Sequence, residues 1–545
     1  MAALVSIIPI LLLFTLMLGF KMPGWKSALI TFIVTCLLAI FAAPALDMVP
    51  EALQGKSIVG VTWWAFVEGV LKAIFPILIV ILMAIYSYNI LVEDKQIEVI
   101  KKQFTSISDD KGIIVLILVW GFGGLLEGMA GFGTAVAIPA AILIGLGFKP
   151  MFSALVSLLA NSVPVAFGAV GIPVTTLCNE ITPGGSAPAD MICEIAGLTV
   201  VQLSPLFFLI PFVILMLTDK SAIVKNITLT LWTGCISLVV QYVCAHFLGA
   251  ETPAILGSIA AIVAIIVYAK LFIRKKVAVV TPDGGTVEVE VGGNAEGNGY
   301  TLGETFKAWS VYIFILVFIL ASGALCPPIN SFLKSHLVTA VALPVIGSTF
   351  KFGWISNAGL MLFLGATIGG LIQGVSIGKL MAILAKTLVN LRFTVITIIS
   401  LIAMSSVMNY SGMISAIAVG LVAITGSFYP FFAPLIGGIG TFVTGSDTSS
   451  NILFAKLQAN VAGQLGLTHQ STFFGFDGNE TNWLAAGNTT GATGGKIISP
   501  QSIAIATASC GMEGQDGEII KKALPYAFIY LVIGGLMVYF GLTVF

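Results

Sequence analysis

The chain has 545 residues, of which 58% are hydrophobic and 9% charged, against roughly 25% charged in ordinary soluble domains. At a mean hydropathy of +1.05 so little polar surface cannot cover a soluble globule, and the chain reads as an all-α polytopic membrane protein. Apolar runs of spanning length recur without strand-length alternation, which excludes a β-barrel. A net charge of zero with no basic arm excludes nucleic acid as a partner.

The first 20 residues are apolar with no basic stretch ahead of them, so they predict a first transmembrane helix rather than a cleaved signal peptide. A second span follows at 27–46, after a turn holding Lys21 and Lys26. A third, at 65–92, carries Glu68 and Lys72 at the spacing of an i,i+4 pair on one helix face. By the positive-inside rule the Lys-bearing loops 21–26 and 93–111 are cytoplasmic, as are Lys220, Lys225 and Arg274-Lys275-Lys276. The amino terminus is therefore predicted outside. Spans at 227–248 and 254–273 connect these loops consistently. Asp283-Gly284-Gly285 between VAVV and VEVEV predicts a small β-hairpin in a cytoplasmic linker, 273–308. That linker divides an N-terminal membrane half, 1–272, from a C-terminal one, 309–545.

Apolar segments in the second half fall at 309–324, 337–350, 355–375, 393–408, 411–428, 431–445, 450–466 and 523–545. Several are too short to span or are broken by Gly and Pro. The whole chain predicts about 12–14 crossings plus re-entrant hairpins. The seven Cys show no metal spacing and sit mostly in apolar runs, as small hydrophobes do. Cys178 and Cys193 share a loop, and whether they pair depends on the side it faces.

Two stretches combine apolar flanks with polar, backbone-rich centres: 158–177 (LLANSVPVAFGAVGIPVTTL) and 482–509 (NWLAAGNTTGATGGKIISPQSIAIATAS). Asn161 and Asn488, Ser162 and Thr489, Gly168 and Gly495, and Pro173 and Pro500 all match at one offset of 327 residues. Segment 131–136 (GFGTAV) matches 438–443 (GIGTFV) at an offset of 307, so the second half holds an insertion near 468–481. Two motifs in the same order predict two inverted repeats with interrupted helices, and such pairs point to a substrate site built from half-helix ends. A half-helix N-terminus carries free N–H groups and partial positive charge, which suits an anion. Asn161, Ser162, Asn488 and Thr489 are N-cap residue types at the expected breaks. The competing reading, polar side chains joining helices for about 1 kcal/mol or less each, is weaker for two matched sites than for one.

Segments 126–138 (LEGMAGFGTAVAI), 442–451 (FVTGSDTSSN) and 495–503 (GKIISPQSI) resemble the signature segments of the bacterial L-lactate permease family. The first departs at Ala135, where the family pattern has Pro. The resemblance spans nearly the whole chain. It implies a proton-coupled symporter for 2-hydroxy monocarboxylates in the bacterial inner membrane, L-lactate first, with D-lactate and glycolate as further substrates. It also implies kinship with transporters whose paired hairpins hold carboxylates and move as an elevator. Gly131, Gly133, Thr134, Ser446, Ser449, Asn451 and Gln501 lie in these segments and are assigned a supporting role.

A charge at the bilayer centre costs about 2.5–3.5 kcal/mol on the lenient scale, so each is a functional candidate. Glu127 lies between glycines with no basic residue nearby in sequence, and desolvation there disfavours its charged form, as a proton carrier needs. Asp447, among hydroxyl residues, reads equally as carrier or helix cap. Lys496 follows the Asn488 position by eight residues and supplies a positive charge for a carboxylate; the aligned position, 169, is Ala. Lys456 is expected to snorkel or to pair with an acid. No metal or other cofactor is expected, the proton being the coupling ion, with sodium as its rival. An enzyme finds no support in any HExxH, GxSxG or P-loop motif. A channel fits a duplicated chain less well than alternating access does, and a single intramembrane Lys favours one carboxylate over two.

Overall fold

The computed structural model describes residues 1–545 except 21, 106–107, 109, 132, 273–274, 281–285, 292–299, 323–325, 468, 474–475, 513–514 and 545. Among the described residues, ten helices are long and apolar enough to cross a membrane. The pair Ala189–Leu203 and Leu206–Thr218, bent by 43°, makes an eleventh, and four shorter apolar helices supply partial spans. The chain is thus a multi-pass helical membrane protein, as its composition predicts. Strands Lys275–Val280 and Thr286–Val291 pair antiparallel in the linker, while the expected turn at 283–285 lies outside the described residues. Segment 337–350 is no membrane segment. It forms most of the hairpin Val338–Leu343 with Ser348–Gly353, because Pro344 and Gly347 close a turn between two six-residue β-branched and aromatic runs too short to span. The expected insertion also carries paired strands, Gln470–Phe473 and Phe476–Asn479.

Each repeat supplies one hairpin and one broken helix. In the first, Lys111–Met129 turns back into Thr134–Gly145 through Gly131 and Gly133, whose φ values are +62° and +86°. In the second, Tyr429–Thr444 returns as Asp447–Gln464 through Gly445, at φ +73°, and Ser446. Gly133-Thr134 and Ser446-Asp447 thus hold the same place in the two hairpins, the start of the returning helix. The matched segment 438–443 lies inside a helical arm, so the 307 offset pairs a tip with an arm.

The broken helices differ in the width of their breaks. Pro150–Asn161 gives way to a tight turn, Pro164–Phe167, and then to Ala169, Val170 and Gly171 at φ +43°, +60° and +73° before helical geometry resumes. Left-handed backbone costs an L-residue roughly 1–2 kcal/mol, and a Cβ on Gly171 would lie 2.1 Å from the Ala250 carbonyl oxygen. In the second repeat Glu480–Lys496 is continuous, and the break falls between Lys496 and Pro500. Pro173 and Pro500 do open equivalent half-helices. Asn488 and Thr489, however, sit in mid-helix, and Asn161 and Ser162 close a helix rather than open one.

Glycine explains how that polar helix persists. Cβ atoms added to Gly437, Gly491 and Gly495 would lie 2.1, 1.6 and 2.1 Å from the carbonyl oxygens of Asn488, Pro434 and Gly438. Tyr429–Thr444 and Glu480–Lys496 thus meet backbone to backbone, the approach small residues permit in membranes. Elsewhere Gly69 seats Ile58–Lys72 on Ala403, and Gly365 and Gly369 seat Ala358–Ile372 on Ile315 and Val311.

Candidate functional site

A cavity of about 430 Å³ lies where both hairpin tips and both broken helices converge. The first repeat contributes Glu127, Gly131, Gly168, Ala169 and Pro173 to its wall, and the second contributes Ser446, Asp447, Ser449, Lys496, Pro500 and Gln501. Two helices begin there. The Ser446 hydroxyl accepts the Ser449 N–H at 3.3 Å, and the Ser499 hydroxyl accepts the Ser502 N–H, also at 3.3 Å. Pro500 follows Ser499 in the first helical position, where a missing N–H costs nothing. Both N-termini present partial positive charge to the cavity. The Lys496 ammonium donates to the Gly445 carbonyl at 2.9 Å, which holds it against the second hairpin tip. Among the described residues it joins no ion pair.

The two acids stand on opposite repeats, each 2% exposed. Lys496 lies within Coulombic reach of both. Glu127 Oε2 has no hydrogen-bond partner, and Oε1 rests against Gly168, where a Cβ would approach to 2.6 Å. Asp447 Oδ1 accepts from Asn451 at 3.3 Å, while Oδ2 has no partner. Asp447 is the first residue of its helix and Ser446 is the cap, so the capping role expected of the acid belongs to its neighbour. Both carboxylates thus keep an oxygen free to take a proton or a ligand.

Behind this wall Asn451 ties the repeats together. Its amide nitrogen donates to the Pro173 carbonyl at 3.0 Å and to Thr489 Oγ1 at 2.9 Å, and its oxygen accepts from Asn488 Nδ2 at 2.8 Å. Gln458 donates to the Asn488 oxygen at 3.2 Å and accepts from the Tyr429 hydroxyl at 2.9 Å. Asn488 and Thr489 therefore support the wall and do not line it. Asn161 lies beside Glu127, with neither polar atom in a complete hydrogen bond. Ser162 is turned back onto the Leu159 carbonyl at 2.7 Å. Thr134 closes the first tip by donating to the Gly131 carbonyl at 2.9 Å.

Ser499 and Gln458 escape the sequence reading, although Ser499-Pro500 is a legible helix-start signal, and Gly168 enters it only as a repeat match and not as a wall of the site. Lys456 does pair with an acid, Glu180 of the first broken helix. Cys178 and Cys193 are free thiols.

Residues 2–545 match the L-lactate permease family. The chain belongs to that family. An L-lactate permease of Streptococcus iniae is 39% identical over 85% of this chain and 92% of its own length. The glycolate permease GlcA of Escherichia coli K12 is 32% identical over 98% and 95%, and an L-lactate permease of Bacillus subtilis 30% over 98% and 94%. The YdaH transporter of Alcanivorax borkumensis shares the fold, with a TM-score of 0.51 at 13% identity over 95% of this chain and 98% of that one. All three signature segments of this permease meet at the cavity, supplying Glu127 and Gly131, Ser446 to Ser449, and Lys496, Pro500 and Gln501.

Proposed function

We propose that this permease imports L-lactate, with D-lactate and glycolate as further substrates, by proton symport, and that the cavity around Lys496 is its substrate site. The observation that carries this reading is one cation and two helix N-termini facing one small cavity with two buried acids. Lys496 and the N-termini at Ser446 and Ser499 draw the carboxylate, and Glu127 and Asp447 are the groups that accept the coupling proton. An acid that enters charged and unpartnered would oppose an anion, whereas a protonated one donates a hydrogen bond to it; substrate and proton therefore load together. Trp25 stacks on Phe393 at 5.2 Å beside the same cavity, each next to a basic residue, Lys26 or Arg392. By the positive-inside rule that end faces the cytoplasm, which supports an amino terminus outside and an inward-facing stage of an elevator-like cycle.

Lactate uptake into proteoliposomes with an imposed pH gradient tests this. Glu127→Gln and Asp447→Asn are expected to abolish gradient-driven accumulation while counterflow persists in at least one of them. If both accumulate lactate as the wild type does, the proton assignment is wrong. Uptake that requires a sodium gradient without a pH gradient would instead favour a sodium-coupled carrier of small organic carboxylates.

A further inference from the structure

A second cluster of buried charge lies apart from the Lys496 cavity and shares no lining residue with it. Its cavity of about 780 Å³ is walled by Glu68, Lys72, Glu180, Lys351, Asn409 and Lys456, among others. The volume is large against the ~10–15 Å³ that one water requires. Glu68, Lys72, Glu180 and Lys456 are each at most 6% exposed, and charges so placed mark ligand or ion paths in membrane proteins.

The cations are not equally satisfied. Lys456 binds Glu180 and the Ser405 hydroxyl. Lys72 stands 3.4 Å from Glu68 and makes no hydrogen bond among the described residues, because Glu68 Oε1 already accepts from Ser348 and Tyr410 at 3.1 Å each. Gly185 leaves room for the Lys72 stem, since a Cβ added there would lie 2.2 Å from Cε. The two buried ammonium groups face two buried carboxylates, and the exposed Lys351 on the same lining adds one further positive charge. Asn409, half-buried on the same wall with a side chain that makes no hydrogen bond among the described residues, supplies a partner for a hydroxyl or carbonyl.

We propose that this cavity is an outer staging site for a small monocarboxylate, held by Lys72 before it reaches the Lys496 site. The inference rests on the import reading and on its orientation: residue 58 begins the helix that ends at the Lys-bearing loop 93–111, so Lys72 lies on the outer side. The broken helix joins the two cavities, with Pro173 on the inner wall and Glu180, near its other end, on the outer one.

Transport by the full-length protein in proteoliposomes, with labelled L-lactate as the probe, tests it. Lys72→Gln is expected to raise the KM for entry from the outer face about tenfold, ~1.4 kcal/mol, with Vmax and the KM from the inner face unchanged, and Lys72→Arg is expected to restore it. Glu68→Gln, which removes the competing counter-charge, is expected to lower the outer KM. A purely structural ion pair would make both variants worse in the same direction, and that outcome, or equal KM changes on both faces, overturns the staging site. Lys496→Gln is the separate control. If it abolishes uptake while Lys72→Gln leaves the outer KM unmoved, only the staging site fails; if it leaves uptake intact, the central site fails.

Discussion

Replacing Asn451 by Leu keeps the branching of the side chain, enlarges it, and removes the join between the repeats. The wild-type carboxamide makes two bonds of 2.9–3.0 Å through nitrogen, to Thr489 and Pro173, and accepts one of 2.8 Å from Asn488. All four residues are buried. Leu leaves the Asn488 amide nitrogen and Asp447 Oδ1 without partners, and an orphaned buried polar group costs about 1–3 kcal/mol. Two such groups set the loss at about 2–6 kcal/mol, lowered where Asn488 turns further toward Gln458. With about 2.1 cal/mol/K of unfolding entropy per residue, ~4 kcal/mol corresponds to a fall in Tm of about 3–4 °C for a chain of this length. Thermal unfolding in detergent, followed by size-exclusion chromatography of the surviving fold, measures it. Asn451→Leu should also weaken transport, because Asp447 loses its partner on Oδ1. A Tm within about 1 °C of wild type would show that the network is not what joins the two repeats.

Gly491→Ala would place a Cβ 1.6 Å from the Pro434 carbonyl oxygen. Overpacking of this kind costs about 1–3 kcal/mol or more, so loss of folded protein in the membrane fraction is expected. Gly168→Ala presses a methyl against Glu127 Oε1 at 2.6 Å; it should fold, yet show at least a threefold shift (~0.6 kcal/mol) in the pH dependence of uptake. Glu180→Gln strands the buried Lys456 and should cost about 3–5 kcal/mol, whereas Glu180→Gln with Lys456→Met should recover most of the thermal stability.

The class of the protein, its interrupted segments and the chemistry of its charges are legible in the sequence because burying charge and backbone in a bilayer is so costly that each exception stands out. Glu68 and Lys72 pair as their spacing predicts, and Lys456 finds its acid. The register of the break in the second repeat is not legible. Asn488, Thr489 and the neighbouring glycines are poor helix formers in water, so they read as the interruption. In the structure they form a helix because their smallness lets Tyr429–Thr444 come into backbone contact, and tertiary packing overrides propensity. The 327-residue match holds from the prolines onward and fails before them because the first break is wider, running through the left-handed turn at 169–171. Nothing in the local sequence of Ala169 and Val170 signals positive φ, since both residues disfavour it. Segment 337–350 was apolar enough to suggest membrane, and only its length and its central Pro-Val-Ile-Gly argued for the hairpin it forms.

The glycine-zipped pair of helices has a consequence for ligand discrimination. Carbonyl oxygens of Tyr429–Thr444 and Glu480–Lys496 already touch Cα atoms across the contact, so Lys496, Gly445 and Ser446 have no slack through which to spread apart. A carboxylate reaching them meets a preorganised socket and loses little affinity to reordering. That same stiffness means the socket cannot adapt to a longer acid. Room for a larger or bulkier tail has to come from the opposite wall, where Val165, Ile172 and Phe393 present apolar side chains. Substrate range should therefore be tunable at those three positions without touching the residues proposed to hold the charge.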